Sequence, residues 1–328
     1  MKEEVASTLK SSETEDWLDY HVIRPFCYLW AKLFARLGVH PNTVTIMSMF
    51  IGAASCIFFA HGCFHYEGGE GLIYNIIGIL LLMLADIFDC TDGQLARMTG
   101  KKSKLGRILD GLAGYAWYIP IYAALVYRFY WNHDIEFDLL GIYNTPEATT
   151  IATIIVFLLA FVSGAICLAG QQRTADYYIQ CHLFFLKGEK GSELDNSVQQ
   201  QEIYDNLPAD ASKLERTFQK SYVAYTKLQE KKTPQFQRMM ALLRKKYGDT
   251  ENIPASVRED FRKHSLPLMK YNGLLTFNFR SAYMFLFCLL DVPVMAFLFE
   301  IIAMTLIERC VIRRHESFCA EIADGLEK

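Results

Sequence analysis

The sequence predicts an all-α, polytopic membrane helix bundle with six transmembrane helices, an N-terminal interfacial helix and a cytoplasmic helical insert. The first observation is patterning. Apolar residues make up 52% of the 328 and arrive in long blocks. Six windows approach membrane-spanning length, at 44–62, 71–88, 112–131, 149–169, 273–290 and 292–307. One such window would fit a buried helix of a soluble core; six argue against a soluble chain. The second observation is charge placement. The links at 63–70, 132–148 and around Asp291 hold no Lys or Arg. The opposite side carries Lys32, Arg36, Arg97, Lys101, Lys102, Lys104, Arg107, Arg173, Arg313 and Arg314. Positive residues mark the cytoplasmic side, so both termini and the acidic cluster described below are expected there, in the inner membrane if the source is bacterial. The net charge of -3 excludes little, because the charges are unevenly spread.

Taken in order, residues 1–14 read as a polar tail. From Trp17 to Leu37, apolar residues (Trp17, Leu18, Phe26, Leu29, Trp30, Leu33, Phe34, Leu37) recur at helical spacing among charges. That pattern predicts a helix lying in the membrane interface, ended by Gly38. Residues 1–40 thus form the first segment. Because more than forty residues precede the first apolar window, that window does not read as a cleavable signal. "HPNTVT" at 40–45 supplies a proline and hydroxyl groups to start the first span. Residues 41–185 hold spans one to four. The polar stretch 186–270 carries helix signals at Ala211–Gln229, at Thr233-Pro234 and at Pro254. Its Phe236, Met239, Met240, Leu242 and Leu243 suit a small helical cap. Residues 271–328 hold spans five and six and a tail. The nine cysteines are scattered without a CxxC pair, so a zinc site or disulfide framework is not expected.

The chemistry concentrates in "DIFDCTDGQLARMTGKKSKLGRILDGLAGY", residues 86–115. Charges beside lipid are costly unless paired or bound to metal. Asp89 and Asp92 lie three apart at the end of span two, so a helix points both the same way. Gly93 and Ala96 would let a ligand approach the backbone, and Arg97 adds a cation near the water boundary. After a polar turn, Gly106 and Asp110 open span three. Carboxylates converging from two helix ends, with small residues between, suit a hard divalent cation that bridges to a diphosphate.

The run Asp89-x-x-Asp92-Gly93-x-x-Ala96-Arg97, eight residues, Gly106-x-x-x-Asp110 resembles the signature of the CDP-alcohol phosphotransferases, membrane enzymes of phospholipid synthesis. The resemblance implies metal binding by Asp89, Asp92 and Asp110, and CDP binding around Gly93, Ala96, Arg97 and Gly106. It also implies two magnesium or manganese ions, a CDP-linked donor, a hydroxyl acceptor, and a homodimer whose polar cavity opens to the cytoplasmic leaflet. The acceptor would attack phosphorus and CMP would leave. In the family pattern a last aspartate, usually taken as general base, follows four residues after Asp110; here that position is Gly114. Asp86 is an extra carboxylate one turn before Asp89, either a further ligand or a hydrogen-bonded polar residue of the bundle, and it is the candidate, reaching in through water, for the base missing at Gly114. Tyr115 is too weak an acid to replace the base.

Outside the motif, Arg173 and Arg107 are candidate contacts for an anionic acceptor such as inositol phosphate. Arg280 lies eleven residues before Asp291 and Glu300 nine after it, so the hairpin between spans five and six matches their depths. A buried Arg280–Glu300 ion pair is expected. The basic residues of 186–270 read as a solvated or headgroup-facing surface, with no nucleic-acid partner. Three functions compete: a working transferase, a catalytically impaired CDP-lipid-binding relative acting as sensor or partner subunit, and a transporter. The clustering of aspartates at one membrane surface favours the first over the last.

Overall fold

A computed structural model of the chain describes residues 11, 13–14, 19–63, 70–101 and 103–327. Trp17, Leu18 and Lys102, and the side chains of Lys104 and Arg107, lie outside the described residues. All regular structure among the described residues is helical. The chain divides into two compact units. One runs to Ala169 and includes Thr276–Thr305; the other takes Gly170–Leu275 and the chain from Leu306 onward.

In the first unit a π-helical turn leads into α1 (Arg24–Arg36), followed by α2 (Pro41–Ala60), α3 (Glu70–Thr99), α4 (Lys104–Trp131), α5 (Asp134–Leu140) and α6 (Pro146–Phe161). A π-helical stretch, Val162–Leu168, continues α6 into α7 (Ala169–Lys187). The second unit adds α8 (Ser197–Asp205), α9 (Lys213–Lys232), α10 (Pro234–Tyr247) and α11 (Ala255–Gly273). The chain returns to the first unit with α12 (Phe277–Leu289) and α13 (Val294–Phe299), and ends in the second with α14 (Thr305–Glu327).

Among the described residues, three helices are long and apolar enough to cross a membrane: α2, α3 and the continuous helix Pro146–Lys187. They carry the windows 44–62, 71–88 and 149–169. The other three windows sit on less uniform helices. Window 112–131 lies in α4, which includes several tyrosines, Pro120 and Arg128. Window 273–290 is broken between Gly273 and Phe277, leaving α12 only 13 residues. Window 292–307 runs through α13, a π-helical turn opened by Glu300, and the start of α14.

α1 ends as expected at Gly38, whose φ of 70° an L side chain rarely adopts. One side of it packs on α3: Trp30 and Phe34 stand 5.3 and 5.8 Å from the Phe88 ring. The Cys27 thiol donates to Ile87 O at 3.3 Å. Its other side leaves Phe26, Leu29, Leu33 and Leu37 exposed.

Small residues set the packing of α2 against its neighbours, as between membrane helices generally. A Cβ at Gly52 would stand 2.1 Å from Trp117 Cδ1 of α4, and one at Gly78 of α3 would meet Phe59 at 3.2 Å. Trp117 is anchored by donating Nε1–H to Ser48 O at 2.9 Å. The Arg280–Glu300 pair forms as expected, with both side chains fully buried and Nη2 3.1 Å from Oε1.

The second unit has its own core. Phe236, Met239, Met240 and Leu243 of α10 are buried with Phe184 and Phe185 of α7, Phe261 of α11 and Phe318 of α14; Leu242 packs at the edge. The helix signals hold here. Ser212 caps α9 by accepting from Glu215 N–H at 3.1 Å, and Pro234 opens α10. Pro254 precedes a helix of 19 residues.

Candidate active site

The site is built where the end of α3 meets the start of α4, and α2 supplies a wall. His40 caps α2, its Nδ1 accepting from Asn42 N–H at 3.2 Å, with Pro41 in the first turn. The hydroxyls of "HPNTVT" therefore do not cap. Thr45 is buried and donates its hydroxyl to Asp92 Oδ2 across the helix interface. Asn42 sits beside the start of α4: the Ser103 hydroxyl donates to Asn42 Oδ1 at 3.2 Å while accepting from Gly106 N–H at 2.9 Å. A side chain at Gly106 would bring its Cβ to 2.9 Å from Asn42 Oδ1. A side chain there would have to displace the Asn42 amide from its bond to Ser103.

The aspartates of the motif gather as their spacing predicts. Asp110, Asp92 and Asp86, in that order, are the carboxylates whose charges act most on Asp89. Asp110 and Arg97 both act on Asp92. Asp92 is buried, Asp89 half-buried and Asp110 exposed at the mouth. Gly93 keeps a gap before Arg97, whose Nη1 would lie 3.4 Å from a Cβ added there. Ala96 is half-buried on the next turn.

Asp86 takes a different place. It is buried one turn deeper, where Asp19 of the preceding π-helical turn and Arg24 at the start of α1 act on it. Asn278 of α12 closes this corner by donating to Asp19 Oδ1 at 2.8 Å. Gly114 is half-buried and offers no ionisable group. Arg107 lies outside the described side chains. Arg173 belongs to the second unit, its guanidinium 5.2 Å from the Tyr225 ring.

Whether these residues suit a divalent cation is tested by their unmet bonding. Asp89 Oδ1 is buried and accepts no hydrogen bond. A buried carboxylate oxygen without a donor is costly, and a hard cation supplies what protein donors do not. Thr45 holds one oxygen of Asp92 and so fixes its orientation, as partners of metal-binding carboxylates do. The set fits. A second grouping, His315, Glu316 and Cys319 of α14, has ligand atoms within 4.8 Å of one another. There, however, both Glu316 oxygens accept from the backbone N–H groups of Gln235 and Phe236 at the start of α10, so that carboxylate serves as a helix cap.

Two features were not legible in advance. Thr45 gave only a capping signal, although its place four residues after Pro41 put it on the inner face of α2. Arg128 of α4 was read as part of an apolar window; it is fully buried and paired to Asp291 Oδ1 at 2.5 Å.

No curated protein and no solved structure matches the chain. Residues 38–169 match the family model described as CDP-alcohol phosphatidyltransferase. That family implies a membrane transferase of phospholipid synthesis, generally dependent on a divalent metal. The matched residues include all of α2, α3 and α4, and hence every motif position from Asp89 to Gly114. Through this segment, which spans less than half of the chain, the protein is similar to the CDP-alcohol phosphatidyltransferase family.

Proposed function

We propose that the protein transfers a phosphatidyl or phosphoalcohol group from a CDP-linked donor to a hydroxyl acceptor, releasing CMP. One observation carries the reading: Asp89 and Asp92 of α3 and Asp110 of α4 converge beside Gly93, within a segment that matches the family. Asp89, Asp92 and Asp110 would hold Mg2+ or Mn2+, which when bound neutralises the donor diphosphate and the charge developing on CMP.

The chain's own groups do the rest. Gly93 admits the nucleotide against the backbone, Gly106 lets Asn42 and Ser103 close the wall beside it, and Arg97 reaches over Gly93 to a phosphate oxygen as a fixed donor. Thr45 keeps Asp92 from turning away. In the transfer the acceptor oxygen bonds to phosphorus, the bond from phosphorus to the CMP oxygen breaks, and the hydroxyl proton must leave. Gly114 provides no base, and Asp86 lies one turn deeper, near the charges of Asp19 and Arg24. An acceptor that needs little deprotonation fits this arrangement. Phosphoryl transfer is governed largely by positioning and charge, so the missing base slows the reaction rather than preventing it.

The reading includes six spans, cytoplasmic termini and a homodimer. The three links without Lys or Arg support the topology, because Cys63, Asn132, Asp134, Glu136 and Asp291 line one small cavity. From Asn75, whose side chain bonds to Arg128 near that cavity, to Asp92 is 17 residues of α3, or about 26 Å at 1.5 Å per residue. That is close to the thickness of a bilayer core, about 30 Å. The exposed row Phe26, Leu29, Leu33 and Leu37 suits a helix lying at the interface.

Calorimetric binding of CDP-diacylglycerol in the presence of magnesium tests the site. Asp92→Asn keeps size and removes the charge a hard cation requires, so affinity should fall at least about tenfold. Equal affinity in Asp92→Asn and wild type would rule out this assignment.

A further inference from the structure

The end of the first unit away from the motif holds acidic groups that the transfer reaction does not use. Glu136 is 7% exposed, and neither of its carboxylate oxygens accepts a hydrogen bond from another residue. It lines a small cavity together with Cys63, Asn132, Asp134, Ile135 and Asp291, with room for about one water-sized body.

Asp291 is held there against its backbone preference. It is the one non-glycine residue with positive φ among those described, at 58°. The end of α12 demands this conformation: Asp291 N–H donates to Cys288 O at 3.3 Å, and Val292 N–H to Phe287 O at 3.0 Å. Glycine would adopt it without strain. The aspartate instead places its carboxylate between Arg128 Nη2 at 2.5 Å and the Cys63 thiol, which donates at 3.1 Å. Arg128 is also fixed, donating to Asn75 Oδ1 and Cys288 O, each at 3.0 Å.

The charges around the cavity do not balance. When all three are ionised, Asp134, Glu136 and Asp291 face one guanidinium, an excess of two negative charges. Asp134 is exposed and accepts from the Asn144 amide at 3.1 Å. The His133 ring nitrogens have other partners, Phe129 O at 3.0 Å, Thr149 Oγ1 at 3.1 Å and Asn144 Oδ1 at 3.3 Å.

From this we infer a second cation site, in which Glu136, Asp134 and Asp291, with the Asn132 side-chain oxygen, bind a divalent ion of the calcium type. The ligands are oxygens, as hard cations require. Calcium tolerates irregular geometry and a bidentate carboxylate, whereas magnesium keeps several waters for which a cavity of this size has little room. The ion would tie α5 to the turn between α12 and α13 and relieve the unmatched Glu136 carboxylate. Affinity should resemble that of weak extracellular calcium modules, about 10⁻⁴–10⁻³ M.

The test must separate this site from the motif. Full-length protein in detergent, with Asp89→Asn and Asp92→Asn together, is equilibrated with 45Ca2+. The inference expects saturable calcium binding that survives this double substitution. Adding Glu136→Gln should weaken it at least about tenfold, and magnesium should compete poorly. Absence of saturable binding in the doubly substituted protein, or equal binding with and without Glu136→Gln, would overturn the site. Should Glu136→Gln fail to fold, Asp134→Asn at the exposed rim decides: weakened binding supports the site and unchanged binding refutes it.

Discussion

Replacing Glu300 with glutamine probes the interior of the first unit most sharply. Glu300 and Arg280 are both fully buried, and Arg280 Nε lies 3.3 Å from Oε1 and 3.1 Å from Oε2. Nη2 adds a contact of 3.1 Å to Oε1. The Tyr283 hydroxyl donates to Oε2, and the Tyr122 hydroxyl approaches it at 3.5 Å. Glutamine keeps the shape and one acceptor oxygen, so the change removes essentially charge. Arg280 then becomes a buried cation without an anion, a state that costs about 3–5 kcal/mol. The Tyr118 ring, 5.7 Å from the guanidinium, returns at most about 2 kcal/mol, already present in wild type. At about 2–4 °C per kcal/mol for a unit of this size, the unfolding midpoint should fall by about 6–20 °C. Tryptophan fluorescence during heating of the detergent-solubilised protein reads the shift. Arg280→Met should cost a similar amount for the opposite reason. The double variant Arg280→Met/Glu300→Gln leaves no buried charge, so its loss should fall short of the sum by about 2 kcal/mol or more. Additive losses would show that the two residues are not energetically paired.

Gly52→Ala should destabilise by about 1–3 kcal/mol, because its Cβ would stand 2.1 Å from the Trp117 ring; Gly52→Ala combined with Trp117→Leu should recover part of that, and an unaltered midpoint in the single variant would contradict the packing. In chelator, burial, assisted by the Asp291 charge, raises the Glu136 carboxyl from its ordinary 4.5 to about 7. The folded state then holds this proton more tightly than the unfolded one, so its stabilisation is complete below about pH 4.5 and is lost as pH rises through about 7. Wild type should lose stability between pH 5 and 8 relative to Glu136→Gln, and parallel curves would refute the assignment. Cysteines introduced at Ser212 and Asn144 should divide by membrane side: an impermeant reagent applied to intact cells should label the second and spare the first, and the reverse pattern would invert the topology.

What the sequence made legible follows from the range over which each signal acts. Hydropathy and helical period are local, so α2, α3 and the α6–α7 helix could be read from windows alone. The helix starts at Ser212 and Pro234 are equally local, each set by one capping or ring-constrained residue. The Arg280–Glu300 pair is not local, but a hairpin turning at Asp291 fixes their relative depth. The spacing of Asp89, Asp92 and Asp110 could likewise be read because two helix ends joined by a short turn must converge.

Other features depend on which helices become neighbours. Thr45 meets Asp92, and Asn42 meets Ser103, only once α2 lies in the groove between α3 and α4. Arg128 looked like a flaw in an apolar window because its partners, Asn75 and Asp291, come from distant segments. The window 273–290 reads as one span until Leu274–Thr276 separates α11 from α12. Uniform apolarity does not report that break.

Release of radiolabelled CMP from CDP-diacylglycerol, measured with and without a panel of polar alcohols including inositol phosphate, decides whether these aspartates serve a transferase. Wild type should release CMP with at least one alcohol and only with magnesium or manganese. Gly114→Asp should lower turnover with that alcohol if the acceptor occupies the space beside Asp110. Release by Gly114→Asp but by no wild-type mixture, or release from wild type that persists undiminished in Asp89→Asn and Asp92→Asn, would contradict the proposed activity.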